Sequence, residues 1–182
     1  MKRIYIKLFM LGALTLFFGS KAEAQEFKDL DSSPHDIVYF RTNKVSPPTI
    51  KVLYGRPKKD GREIFGNVIP FGKIWRVGAN EATEVVFYND VVFGDQEVKA
   101  GTYVLYAIPD KNEWTLILSS NTDVWGTYEY ETKYDVARAK AKVSKAEFLE
   151  AFSIGFKDKG KHVNMVLAWD TTRITTPIKI IL

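Results

Sequence analysis

"TEVVFYNDVVFGDQEVKAGTYVLYAIPDKNEWTLILSS", residues 83–120, sets short apolar runs between turn-forming pairs. The runs are rich in valine, isoleucine, leucine and aromatic residues. The breaks fall at Asn89-Asp90, Gly94-Asp95, Ala100-Gly101 and Asp110-Lys111-Asn112. β-Branched and aromatic side chains suit a pleated surface, and these breaks supply the backbone freedom and local hydrogen bonds that turns need. The stretch therefore reads as a series of antiparallel hairpins.

Working outward, "TIKVLYGRP" (49–57) alternates, with Ile50, Val52 and Tyr54 on one face and Lys51 and Leu53 on the other. "DVARAKAKV" (135–143) separates alanines and Val143 from Arg138, Lys140 and Lys142. "HVNMVLAWD" (162–170) and "TTPIKIIL" (175–182) are further strands. Residues 25–48 are polar and proline-punctuated, a lead-in arm with a short strand at 36–42. One helix is expected near 144–153. Ser144-Lys145-Ala146-Glu147 forms a capping box, Phe148, Leu149 and Phe152 share a helical face, and Gly155 ends it. The expected fold class is all-β, mainly antiparallel: a single β-sandwich or jelly-roll-like domain over 49–182 with that one short helix.

The first residues read as a targeting signal. Lys2 and Arg3 precede the apolar run "LFMLGALTLFF" (8–18), and "AEA" (22–24) fits a small-x-small cleavage site. Cleavage after Ala24 would leave Gln25–Leu182, periplasmic or secreted, with no transmembrane segment. The formal charge of +4 shrinks once Lys2, Arg3, Lys7, Lys21 and Glu23 depart. A near-neutral mature chain gives no electrostatic footprint for nucleic acid. The chain has no cysteine, so the domain stands without disulfides and has no thiol chemistry. Its two histidines, His35 and His162, rule out a three-histidine metal site. No cofactor motif is present, and scattered acids without a D-x-D-x-D loop give no metal site.

"FGKIWRVGANEAT" (71–83) concentrates hydrogen-bonding side chains beside a tryptophan, with glycines at 72 and 78. Gly78 is expected to supply a positive φ, with Asn80 and Glu81 at the turn tip. Together with "YGRP" (54–57), "GREIFG" (61–66), "VIPFGKIWRVGANEAT" (68–83), "VKAGTYVLYAIP" (98–109) and "TDVWGTYEYE" (122–131), the stretch resembles, in order, the blocks of a secreted family found mainly in Bacteroidota. That family is known as domain of unknown function 2911. The resemblance covers roughly residues 49–170. It implies a mostly β extracytoplasmic domain and says almost nothing about activity.

Three functional readings follow. In the first, the loop binds a small or extended ligand, such as carbohydrate, envelope glycan or a small anionic ligand, through Arg56, Arg62, Trp75, Arg76, Asn80 and Glu81. Arg76 would grip an acidic or hydroxyl group, and Trp125 and Tyr128 would stack on a sugar ring. In the second, Glu81 is the acid or base of a glycan-directed hydrolase, paired with Asp123 or Asp170. In the third, a buried Arg76–Glu81 pair merely staples the fold of a structural or protein-interaction module. Trp114 and Trp169 read as core. The row Arg138, Lys140, Lys142 reads as the solvent face of an edge strand.

Overall fold

Alternation along the described residues becomes nine strands, but they do not pair in chain order. The computed structural model describes Phe27 and residues 29–181, so the leader expected at 1–24 and its cleavage site lie outside the described residues. Strands β1 (His35–Phe40), β2 (Ile50–Gly55), β3 (Glu84–Phe87), β4 (Val91–Phe93), β5 (Gln96–Val98), β6 (Gly101–Ile108), β7 (Glu113–Ser119), β8 (Asp135–Asp158) and β9 (Val163–Ile180) follow one another. They form one antiparallel sheet in the order β1-β2-β3-β6-β7-β8-β9-β4-β5. The fold class is all-β, and the only helical turn among the described residues is a 3-10 turn at Thr132–Tyr134.

The helix expected near 144–153 does not exist. Those residues lie inside the 24-residue strand β8. Local capping and propensity are weak priors that tertiary partners override. Here β9 offers a long antiparallel partner, with Val143 opposite Ile174 and Ser153 opposite Ala168. Register shifts on both sides of Leu149 mark where β8 bends. At that bend the Glu150 carbonyl accepts the Trp169 indole N–H at 3.0 Å and the Lys59 N–H at 2.9 Å. Gly155 is an ordinary strand residue opposite Val166. Residues 135–142 pair with β7 alone, since the ladder of β8 with β9 begins at Val143, and this stretch buries Ala137, Ala139 and Ala141 and exposes Arg138, Lys140 and Lys142.

Two of the four breaks in 83–120 make hairpins, at Gly94-Asp95 and at 110–112. The others carry the chain between distant parts of the sheet. The hairpin β4–β5 pairs with β9 instead of its chain neighbours β3 and β6. Asp90 pins both crossings, accepting the Ala100 N–H and the Lys99 ammonium at 2.8 Å each. These bonds hold the Asp90 carboxyl below the ordinary carboxylate range, the Lys99 ammonium contributing most.

One apolar cluster draws on strands β2 to β9, so the sheet doubles over its own core. Phe40 on β1 packs against Phe156 on β8, and Tyr54 on β2 meets Phe152 edge-on at 5.7 Å. Asp31–Leu182 form one compact unit. A second cluster, Ala82, Val104, Tyr106, Ile117 and Val124, lies apart from the first. It joins β6 and β7 to the loops that build the site.

Candidate functional site

β3 covers the edge of β6 only from Gly101 to Val104. The glycine-rich segment takes over from there. Thr83 O accepts the Leu105 N–H, and Trp75 exchanges both backbone bonds with Ala107. Trp75 is thereby fixed, and its ring enters the inner core. It meets Phe65, Trp114 and Phe152 edge-on at 5.2–6.0 Å and lies nearly parallel to Trp169 at 6.3 Å.

Between Arg76 and Thr83 the chain makes a tight loop. The Thr83 N–H donates to Arg76 O, and Thr83 Oγ1 donates to Val77 O at 2.7 Å. Positive φ falls on Val77 (57°) and Asn80 (63°), not on Gly78 as expected. A fully buried β-branched residue in that conformation is strained, and the surrounding packing holds it there. Gly78 serves a different need, because a Cβ there would lie 2.9 Å from Gly55 O.

The loop forms one wall of a cleft of about 420 Å³. Trp75 and Trp169 contribute its apolar surface. Lys58, Arg62, Arg76, Asn80, Ser32 and Ser33 contribute donors, against the carboxylate of Asp60. The Asp31 carboxyl sits close by, held below its usual range by the Ser33 N–H and then by the Asn80 amide. Arg76 is the most distinctive group. Its Nε is buried with no hydrogen-bond partner, and burial lowers the guanidinium's pKa. Its Cζ lies 6.0 Å from the Trp125 ring centroid.

Four of the residues singled out in the sequence, Arg62, Trp75, Arg76 and Asn80, line this one cleft. Arg62 is partly committed, donating to Lys58 O and Lys59 O. Arg56 lies elsewhere: it bonds Phe152 O, Asp36 and Ser153 Oγ and ties β2 to β8. Glu81 points away from Arg76. It bridges Trp125 through the backbone, and its carboxylate lies 3.1 Å from His35 Nε2. The Arg76–Glu81 staple is therefore absent, and the loop is held by Trp75, Thr83 and close glycine packing.

Glu81 lines a second cavity of about 470 Å³ with His35, Leu53, Ala82, Glu84, Asp123 and Val124. Asp170, the other acid considered as its partner, pairs instead with Lys59 at 3.2 Å. Trp125 and Tyr128 lie outside both linings. They stack on each other, 54% and 82% exposed. No group of three or more His, Asp or Glu among the described residues is placed to hold a metal ion.

Ser32, Ser33, Lys58, Asp60 and Trp169 escaped sequence reasoning as cleft residues. Nothing local marks them, since they come together from remote points of the chain. Only the burial of Trp169 was legible.

These features define an all-β domain with a cation-lined, tryptophan-floored cleft beside an exposed aromatic pair. The chain belongs to the family described as "Protein of unknown function (DUF2911)", which matches residues 33–178. No curated protein and no solved structure matches it. No helix among the described residues is long and apolar enough to cross a membrane.

Proposed function

We propose that this domain binds an acidic, hydroxyl-rich ligand in the cleft, with carbohydrate of the cell envelope as the leading class. The observation that carries this reading is Arg76, which lines the cleft while its guanidinium takes part in no ion pair and its Nε has no acceptor among the described residues. A guanidinium without a carboxylate partner beside a cleft suits an anionic ligand, whose carboxylate would accept charge-assisted hydrogen bonds from it. Lys58 and Arg62 add positive charge, Asn80, Ser32 and Ser33 match hydroxyls, and Val68 adds an exposed apolar contact.

The test is calorimetric titration of Gln25–Leu182 with glucuronate, galacturonate and neutral glucose. Saturable binding of an acid but not of glucose, lost in Arg76→Gln, supports the reading. Equal binding of glucose, or acid binding that survives Arg76→Gln, removes it.

One observation favours the hydrolase as a second reading: Glu81 and Asp123 line the same cavity, with His35 against Glu81. Release of reducing ends from envelope glycan, abolished by Glu81→Gln, would support it. The proposal also includes secretion. Mass spectrometry of the protein from its host should find a mature chain beginning at Gln25, whereas a retained Met1 end would contradict this.

A further inference from the structure

Trp125 and Tyr128 form a stacked aromatic platform on the surface. Their rings are 11° from parallel with centroids 5.5 Å apart, although both are largely exposed. The turn that carries them is tied down on both sides. The Gly126 N–H donates to Asn80 O, the Ala82 N–H donates to Val124 O, and the Tyr130 N–H donates to Thr127 O. Asp123 and Gly126 hold positive φ of 58° and 67°. Water gains nothing from an ordered apolar face, so an exposed aromatic pair fixed this firmly suits a ligand with an apolar face of its own.

Arg76 joins this platform to the cleft. One side chain both lines the cleft and places its guanidinium 6.0 Å from the Trp125 ring. A group gripped by Arg76 therefore has the aromatic pair as its immediate neighbour. A small anion would lodge against Arg76 and leave the platform bare. A chain of sugar residues would use both.

Resting on the acid-binding reading of the cleft, we infer that the ligand is an oligosaccharide containing a uronic acid. One carboxylate-bearing residue sits in the cleft against Arg76, and an adjoining residue lies on Trp125 and Tyr128. The domain thus recognises a polymer segment rather than a free sugar acid.

The test titrates wild type, Trp125→Ala, Tyr128→Ala, Arg76→Gln and the control Tyr88→Ala with two sets of ligands. One set is galacturonic, glucuronic and mannuronic acids, and the other is their linear trimers. Thermal unfolding confirms that each variant is folded. Wild type should bind one trimer roughly tenfold tighter than its monomer, the ratio that about 1.4 kcal/mol of added contact gives. Trp125→Ala and Tyr128→Ala should bring that ratio toward one. Arg76→Gln should weaken both ligands, and Tyr88→Ala, an exposed tyrosine on another loop, should match wild type. Equal affinity for monomer and trimer in wild type, or a ratio unaffected by both platform variants, overturns the inference and leaves the cleft reading standing. If no acid of either length binds, the cleft reading falls and takes the inference with it.

Discussion

Gly55 and Ala79 meet backbone to backbone: a Cβ on Gly55 would lie 2.1 Å from the Ala79 carbonyl oxygen. The end of β2 thus fixes the height of the Arg76–Thr83 loop and, with it, one wall of the cleft. Gly55→Ala must push backbone apart, since no flexible side chain stands in the way. The expected loss is about 3 kcal/mol, the upper end for overpacking, a fall in melting temperature of roughly 6–12 °C for a domain of this size. Gly155→Ala is the control, because its Cβ meets nothing within 4 Å and its φ is unremarkable. It should melt within about 2 °C of wild type. Equal effects of the two substitutions would contradict this account of the loop.

Arg76→Met should leave the ligand-free domain as stable as wild type or up to about 1 kcal/mol more stable. The substitution removes a buried Nε that has no acceptor among the described residues, and it breaks no ion pair among them. Chemical denaturation without ligand is the measurement. A loss of about 3 kcal/mol or more, the cost of breaking a buried pair, would show that Arg76 serves the fold after all.

Arg56 and Glu81 should separate in the same assay. Arg56 donates to Phe152 O, Asp36 and Ser153 Oγ across two strands. Its side chain is 40% exposed, so solvent screening limits the loss in Arg56→Ala to about 1–2 kcal/mol. Lysine should rescue little, having no planar fork to reach three acceptors. Glu81→Gln should change stability by less than about 0.5 kcal/mol, because its side chain is 60% exposed and its one ion-pair partner among the described residues is His35. A reversed order of the two would refute this assignment of roles.

Alkaline titration should expose Tyr106. Burial pushes its phenol up to about 12, with Glu129 and Tyr130 adding to the rise. In the unfolded chain the phenol ionises near 10. Stabilisation from the neutral phenol is complete below that value and is lost as pH rises through about 12. Tyr54, Tyr103 and Tyr130 are raised in the same direction, so the whole domain should weaken across this window. Tyr106→Phe should flatten the decline between pH 10 and 12 relative to wild type. Parallel curves for the two proteins would place the cause elsewhere.

Much of this architecture was legible from the chain. A two-residue alternation records which side of a strand faces the core, so the all-β class and the burial of Ile50, Val52 and Tyr54 could be read directly. The burial of Trp114 and Trp169 followed from their apolar runs. The hidden features all depend on partners far away in sequence. The Ser144–Glu147 capping box carries a real local preference, which the pairing of β8 with β9 overrides. Asn89-Asp90 is a genuine break, yet only the sheet order shows that the chain crosses there instead of folding back.

The site follows the same rule. Its chemical ingredients, Arg62, Trp75, Arg76 and Asn80, stand out in the sequence because so many polar groups crowd one tryptophan. Their directions do not. Positive φ at Val77 and Asn80 turns successive side chains apart, so Arg76 faces the cleft while Glu81 meets His35. Side-chain patterning is a property of neighbours along the chain, and it reports strands and faces. A cleft is made where residues 32–33, 57–62, 68–80 and 169 come together, and only long-range packing brings them there.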